Sequence, residues 1–582
     1  MALVLEESNG TVAATLLAAT ALSACGGGGA EGSSGNPGVP VTPVAGYRYT
    51  TASTDAEAAR FLQQAQFSSS ASEMATVRAS GFVAWLDQQI AQPVSTTAWD
   101  WLNAQGYGDA NNPANYYDST APADAFVWSQ LMAAPDAVRK RFALALSEFF
   151  VVSLNGLTFR WRSHAAAHYW DTLNVHAFGN YRALLEAITL NVAMGYYLNT
   201  KGNKKADGKG SQPDENYARE VMQLFSMGLV QLNQDGTPKL VNGSKVDSYS
   251  ASDVSNLAQV FTGYDVDQSQ NVNTVIPQTG GGTRTVGNTA FARLPMVQVG
   301  NNHATGVATF LGTTIAADTP VKDALKLALD TLFNHPNTAP FFAKQMIQRL
   351  VTSNPSPIYV KRVADVFDNN GQGVRGDLAA VLKAVLLDDE ARGPDGLNAA
   401  VQPEFGKLRE PMLRLVQWAR SFNVTSTAGT WKIGDTSDAG TRLGQSPLRS
   451  PSVFNFFRPG YVPPSTALSN GAVAPEFQLV NESSVGGYLN FMSGVINNGS
   501  NGGDMKAAYT TQLALVTDAA ALVQHLNLLL CAGQLSAASQ TLMVTALNAT
   551  AITTTSTDAT KRNRICAAVL MVMASSEYLI QK

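Results

Sequence analysis

Two sets of residues in this sequence have the types and spacing to do chemistry. The first is His164-Ala-Ala-Ala-His168-Tyr-Trp-Asp171. Positions i, i+4 and i+7 place two imidazoles and a carboxylate on one face of a helix, a donor set that suits a divalent transition metal. The Glu that follows the first His in a zincin helix is missing. Histidines that donate to backbone carbonyls are therefore the competing reading.

The second set is Asp214-Glu215-Asn216-Tyr217-Ala218-Arg219-Glu220, which continues as VMQLFSMG to Gly228. Tyr217, Val221, Leu224 and Phe225 form an apolar stripe at helical spacing, while Asn216, Glu220 and Gln223 form a polar line. Glu215 and Arg219 make an i,i+4 pair. Asp214 after Pro213 reads as the N-cap and Gly228 as the stop. If this helix faces the first, Glu220 becomes a general base or a fourth metal ligand, Arg219 an anion clamp and Asn216 a polarising donor. The alternative is an amphipathic helix with surface ion pairs.

Other chemistries have no foothold. The sequence has no Gly-x-Ser-x-Gly elbow, no Walker loop and no plausible Cys-His pair. A net charge of −4 without a basic run excludes a nucleic-acid partner. Charged residues make up only 14% of the 582, a style that suits an exported protein.

The N-terminus supports export. Val12 to Leu22 is an apolar run of signal-peptide length, too short to span a bilayer. Leu22-Ser23-Ala24-Cys25 then resembles a lipobox, in which Cys25 is lipidated and anchors the mature protein to a membrane. Glu6 and Glu7, with no Lys or Arg before the run, depart from the usual positive leader. Gly26 in place of an Asp retention signal points to the outer membrane, hence to the periplasm or cell surface. With Cys25 assigned to lipid, Cys531 and Cys566 remain, either as one disulfide or as two buried thiols.

The elements that must position these residues are mainly α-helical. Residues 1–25 read as a lipoprotein-type signal peptide and 26–50 as a Gly/Ser/Pro tether. Residues 51–582 read as a large multi-helix body, with a possible division into two lobes near 395–450. Helices are expected from Asp55 (as N-cap) to Ala65, from about Glu73 through Gly81 to Ile90, and almost continuously from Ala123 to Leu198. Periodicity fails around 232–300, which reads as a loop excursion with a small β-hairpin near Arg284 to Val286. Helices resume at Val321–Phe333, Thr338–Val351, Tyr359–Phe367, Asp377–Asp388 and Lys407–Ser421. The last ones run over Thr511–Cys531, Ala538–Leu547 and Thr560–Met573. No run is long enough for a transmembrane span.

Several blocks resemble, in order, the bacterial domain-of-unknown-function 1800 family. They are Ala177 to Leu185 (AFGNYRALL), Ala193 to Leu198 (AMGYYL), the Asn216 to Gly228 segment, Phe261-Thr262-Gly263-Tyr264, His335 to Ala339 (HPNTA), Gly376-Asp377-Leu378, Lys407 to Pro411 (KLREP) and the stretch around Phe454 to Pro459. The resemblance covers roughly 55 to 582. It implies an exported bacterial protein with no settled activity, often encoded beside a secreted protein of another uncharacterised family, a possible partner. His303 is kept from a further block, but Ala304 and Val307 replace the acid and base usual there, and Tyr264 stands where Trp is commoner.

Two functions follow as expectations. The first is an exported, lipid-anchored cell-surface binding or assembly protein. The second is a metal-assisted or carboxylate-based hydrolase, with Glu220, Asn216 and Arg219 in the cleft and His164, His168 and Asp171 as metal ligands.

Overall fold

The computed structural model describes residues 47–278, 281–394, 402, 404–466, 468–469 and 471–582. The leader, Cys25 and nearly all of the tether lie outside the described residues. Within them the protein is mainly α, with 23 α-helices and six two-stranded antiparallel ribbons. Among the described residues no helix is long and apolar enough to cross a membrane.

Boundaries follow capping more than periodicity. Helix Asp55–Ala65 takes Thr54 as its N-cap, whose hydroxyl accepts the Glu57 N–H. The helix expected to run through Gly81 is two, Ala71–Ser80 and Phe82–Ala91. Gly81 separates them at φ 79°, and a Cβ there would sit 3.0 Å from the Thr50 carbonyl that accepts the Phe82 N–H. The segment from Ala123 to Leu198 resolves into Ala121–Ala133, Ala137–Ser147, Arg162–His176, Tyr181–Thr189 and Val192–Tyr197.

The excursion carries its hairpin: Asn273–Pro277 pairs antiparallel with Thr283–Gly287. It also holds an unexpected helix, Ala251–Val260, opened by a reciprocal capping box between Ser250 and Asp253. Further on, Lys407–Leu408 is a strand and not the start of a helix. It pairs antiparallel with Ile580–Gln581, and the helix begins only at Pro411, running to Ser421. Helix Glu482–Asn498 stands where periodicity indicated none; Gly486, Gly487 and Gly494 dilute its apolar pattern.

Helix Arg162–His176 is the centre of the packing. It touches Ala98–Ala104, Ala121–Ala133, Ala137–Ser147, Tyr181–Thr189 and Val192–Tyr197, and nearly all its residues from Ser163 to Asn174 are buried. A helix covered on all sides has no single apolar face, so its buried polar residues must find partners inside. One hydrophobic core runs from Ala52 to Tyr578 and includes a knot in which the Tyr181 ring lies 5.0 Å from Phe342 and 5.3 Å from Phe367.

Candidate functional site

The helix that carries Glu220 spans Asn216–Gln223, shorter than the segment suggested. Its cap is Glu215, and Asp214 Oδ1 accepts the Asn216 N–H at 2.8 Å from just outside. Gly228 takes a left-handed conformation, φ 74°, beyond the helix end. Arg219 is exposed and pairs with Glu215 at 3.0 Å, and Asn216 is half-buried. Glu220 lies on the other side: it is buried, and its Oε2 has no hydrogen-bond partner. Burial pushes its carboxyl up from the usual range, with Arg219 opposing. Arg182 does not engage it, being paired with Asp330 and Glu186, each at 2.7 Å. Glu220 thus stands apart from the Arg219–Glu215 pair, with which it shares a helix but not a face.

His164 and Asp171 do point one way, as their spacing predicts, and both meet one short helix, Ala98–Ala104. Asp171 accepts the Ala98 N–H at 2.8 Å on Oδ1 and the Trp99 N–H at 2.9 Å on Oδ2. It therefore satisfies the N-terminal amides of helix Ala98–Ala104. Burial still raises its carboxyl to about 6. His164 lies edge-on to Trp99 and Trp161, with Nε2 3.3 Å from Asn103 Oδ1. Desolvation lowers it to about 4, and His168, half-buried near Arg293, is lowered likewise to about 4. Among the described residues no group of three or more His, Cys, Asp or Glu is placed to hold a metal ion. In this structure the three residues make a helix-packing joint, with both Asp171 carboxylate oxygens taken by amides.

Of the two states open to the remaining cysteines, the structure has the thiols. Cys531 and Cys566 are buried free thiols on helices Ala519–Cys531 and Asp558–Ala574. Burial pushes them up to about 12 and about 11, so neither is a reactive thiolate.

The densest chemistry lies elsewhere, around the short strand Lys407–Leu408. Lys407 Nζ is 2.9 Å from Glu476, 3.5 Å from Glu410 and 2.7 Å from the Arg349 carbonyl. Arg349 Nε stands 3.7 Å from Glu148, and Arg141 donates to the Arg349 carbonyl at 2.7 Å. No donor reaches either oxygen of Glu148, which faces Glu410. Burial and the Glu410 charge push Glu148 well above the ordinary range. Glu410, although burial opposes its charge, is held below that range by Lys407, by its hydrogen bond with Glu148 and by Arg141. Within the pair Glu148 is thus the group pushed toward its neutral form and Glu410 the one held charged.

Two cavities border this network. An apolar one of about 130 Å³ has Leu408, Glu476, Arg414 and Tyr488 in its wall. A more open cleft of about 360 Å³ is lined by Lys407, Phe405 and Asn354 and shares Leu408, Phe477, Ser576 and Ile580 with the first. An apolar space with a few convergent polar groups and shifted carboxyls is the usual form of a ligand site. No motif marks it, since Glu148, Lys407 and Glu476 are far apart along the chain and only the fold joins them.

A family profile described as a protein of unknown function (DUF1800) matches residues 60–580. The chain belongs to the DUF1800 family. No curated protein and no solved structure matches it. In this DUF1800 chain the blocks that carry the family resemblance meet one another as joints. The Tyr181 N–H donates to the Gly376 carbonyl and the Leu378 N–H to that of Gly179. Asn337 accepts the Leu232 N–H and donates to the Met227 and Val230 carbonyls, fixing the chain that leaves the Glu220 helix. His303 Nδ1 lies 2.9 Å from the Thr262 carbonyl. The Lys407 to Pro411 block alone among these supplies charges to a cavity.

Proposed function

We infer that this DUF1800 protein is an exported, lipid-anchored binding protein, held at the periplasmic or outer surface through Cys25. Its ligand site is the apolar cavity with its adjoining cleft on either side of strand Lys407–Leu408. The observation that carries the reading is the shared wall of Leu408, Phe477, Ser576 and Ile580, with buried charges at its base. Export and anchoring rest on the apolar run at Val12 to Leu22 and the Cys25 pattern. Full-length protein should bind the apolar fluorophore N-phenyl-1-naphthylamine, and Val485→Trp, which fills the cavity, should abolish the signal. Unchanged fluorescence in Val485→Trp would remove the cavity from the reading. Metabolic palmitate labelling, lost in Cys25→Ser, tests the anchor separately.

One observation favours a carboxylate-based hydrolase as the second reading: Glu220 is buried, has a raised carboxyl and leaves Oε2 without a partner. Glu220→Gln with unchanged ligand binding but lost turnover of a cell-envelope ester or glycoside would favour it.

A further inference from the structure

The apolar cavity has in its wall a buried charged group with no ion-paired carboxylate among the described residues. Arg414 sits on helix Pro411–Ser421 and is 6% exposed. Its Nε donates to the Arg409 carbonyl at 2.7 Å, and its guanidinium carbon lies 4.6 Å from the centre of the Tyr488 ring. Among the described residues no carboxylate stands within ion-pair distance of it. Glu476 shares the cavity wall, but Lys407 at 2.9 Å and Ser353 at 3.4 Å engage it. Tyr488 also hydrogen-bonds it, and the charge of Arg409, of the same sign, acts against it. Arg60, Arg392, Arg409 and Arg564 are also buried without an ion-paired carboxylate among the described residues, but of these arginines Arg414 is the one in the cavity wall.

A buried guanidinium costs several kcal/mol unless it is paired, and a cation–π contact offsets about 2 kcal/mol of that. A carboxylate is the partner that matches its planar fork. The rest of the wall is apolar, including Leu443, Leu479, Val485, Leu489 and Leu579. At about 130 Å³ the space is close to the roughly 150 Å³ of a cavity known to take benzene.

We propose that this cavity binds a monocarboxylic acid with an apolar body, a medium-chain fatty acid, with its carboxylate on Arg414 and its chain among Leu443, Leu479, Val485 and Leu489. A single negative charge balances Arg414; a doubly charged phosphate head would also meet Glu476 in the same wall. The assignment deepens the binding reading above and rests on it.

Calorimetric titration of the full-length protein with octanoate, methyl octanoate and octyl phosphate tests it. Octanoate should bind one to one, at least about tenfold more tightly than methyl octanoate, which keeps the chain and loses the charge. Arg414→Met should lose that preference, and in the absence of ligand it should unfold at equal or higher urea concentration than the wild type, because an unpaired charge has gone. Should Arg414→Met not fold, Arg414→Lys retains the charge without the fork and should still weaken octanoate selectively. Equal binding of octanoate and methyl octanoate would overturn the carboxylate assignment and leave the cavity a binding site. Preference for octyl phosphate would also overturn it. No binding of any of the three, with N-phenyl-1-naphthylamine silent as well, would overturn both.

Discussion

Lys407 Nζ lies 2.9 Å from Glu476 Oε1, and neither side chain reaches solvent. Such a pair, with Glu410 3.5 Å from the same nitrogen, is held by mutual neutralisation between buried side chains. Lys407→Met should cost about 3–5 kcal/mol, since it leaves carboxyls facing one another without their cation. Urea unfolding followed by tryptophan fluorescence measures this, and Lys407→Met with Glu476→Gln should recover part of the loss. A single variant within about 1 kcal/mol of the wild type would mean the network is not a stabilising unit.

Asp171 gives a sharp test because its two possible roles differ in readout. As a partner of the Ala98 and Trp99 amides, its loss in Asp171→Ala should destabilise by about 1–2 kcal/mol. Bound metal, measured by elemental analysis on both proteins, should be the same in each. One equivalent of metal in the wild type that disappears in the variant would restore the metal reading.

His164 and His168 set a pH dependence. Both are depressed to about 4 from an ordinary 6.5, so their contribution to stability is complete above pH 6.5 and is lost as pH falls toward 4. For fully buried His164 the loss approaches about 3 kcal/mol at complete protonation. Asp171 runs the other way: raised to about 6 from 3.8, it contributes most below pH 3.8 and loses that as pH rises through 6. Urea midpoints between pH 7.5 and 4.5 should therefore fall, and should fall less in His164→Phe. A parallel decline in the variant would remove His164 as the cause.

The two buried thiols predict redox indifference. Dithiothreitol should leave the melting temperature of the Cys25→Ser chain unchanged, and thiol titration in denaturant should count both Cys531 and Cys566. Removing a disulfide would instead cost about 2–4 kcal/mol, visible as a drop in melting temperature of several degrees.

Much of the fold is legible in the sequence because helical spacing is a local signal. Val321–Asn334, Thr338–Leu350 and Leu378–Leu387 lie where their apolar stripes and caps place them, with Asp377 accepting the Ala380 N–H. Non-local interactions account for what was hidden. The helix breaks at Gly81, where the Phe82 N–H turns to the Thr50 carbonyl, and Lys407–Leu408 is extended because Ile580–Gln581 pairs with it. The same holds for chemistry. Spacing correctly puts His164 and Asp171 on one face, yet what that face meets is decided by Trp99 and Asn103 on another helix. Glu148 carries no motif at all; its carboxyl is raised because folding buries it and sets it against Glu410.

The ribbon that joins Leu408 to Ile580 has a consequence for how the protein is made. Arg409 donates its N–H to the Leu579 carbonyl, Gln581 reaches the Leu350 carbonyl, and Gln63 near the start reaches Leu529. The wall of the cavity and the surroundings of Lys407 are therefore completed by residues that leave the ribosome after more than five hundred others. Long-range closure of this kind is slow. The charged centre around Lys407 is therefore among the last parts of the fold whose contacts can all be made, since Leu408 and Arg409 pair with residues 579 and 580.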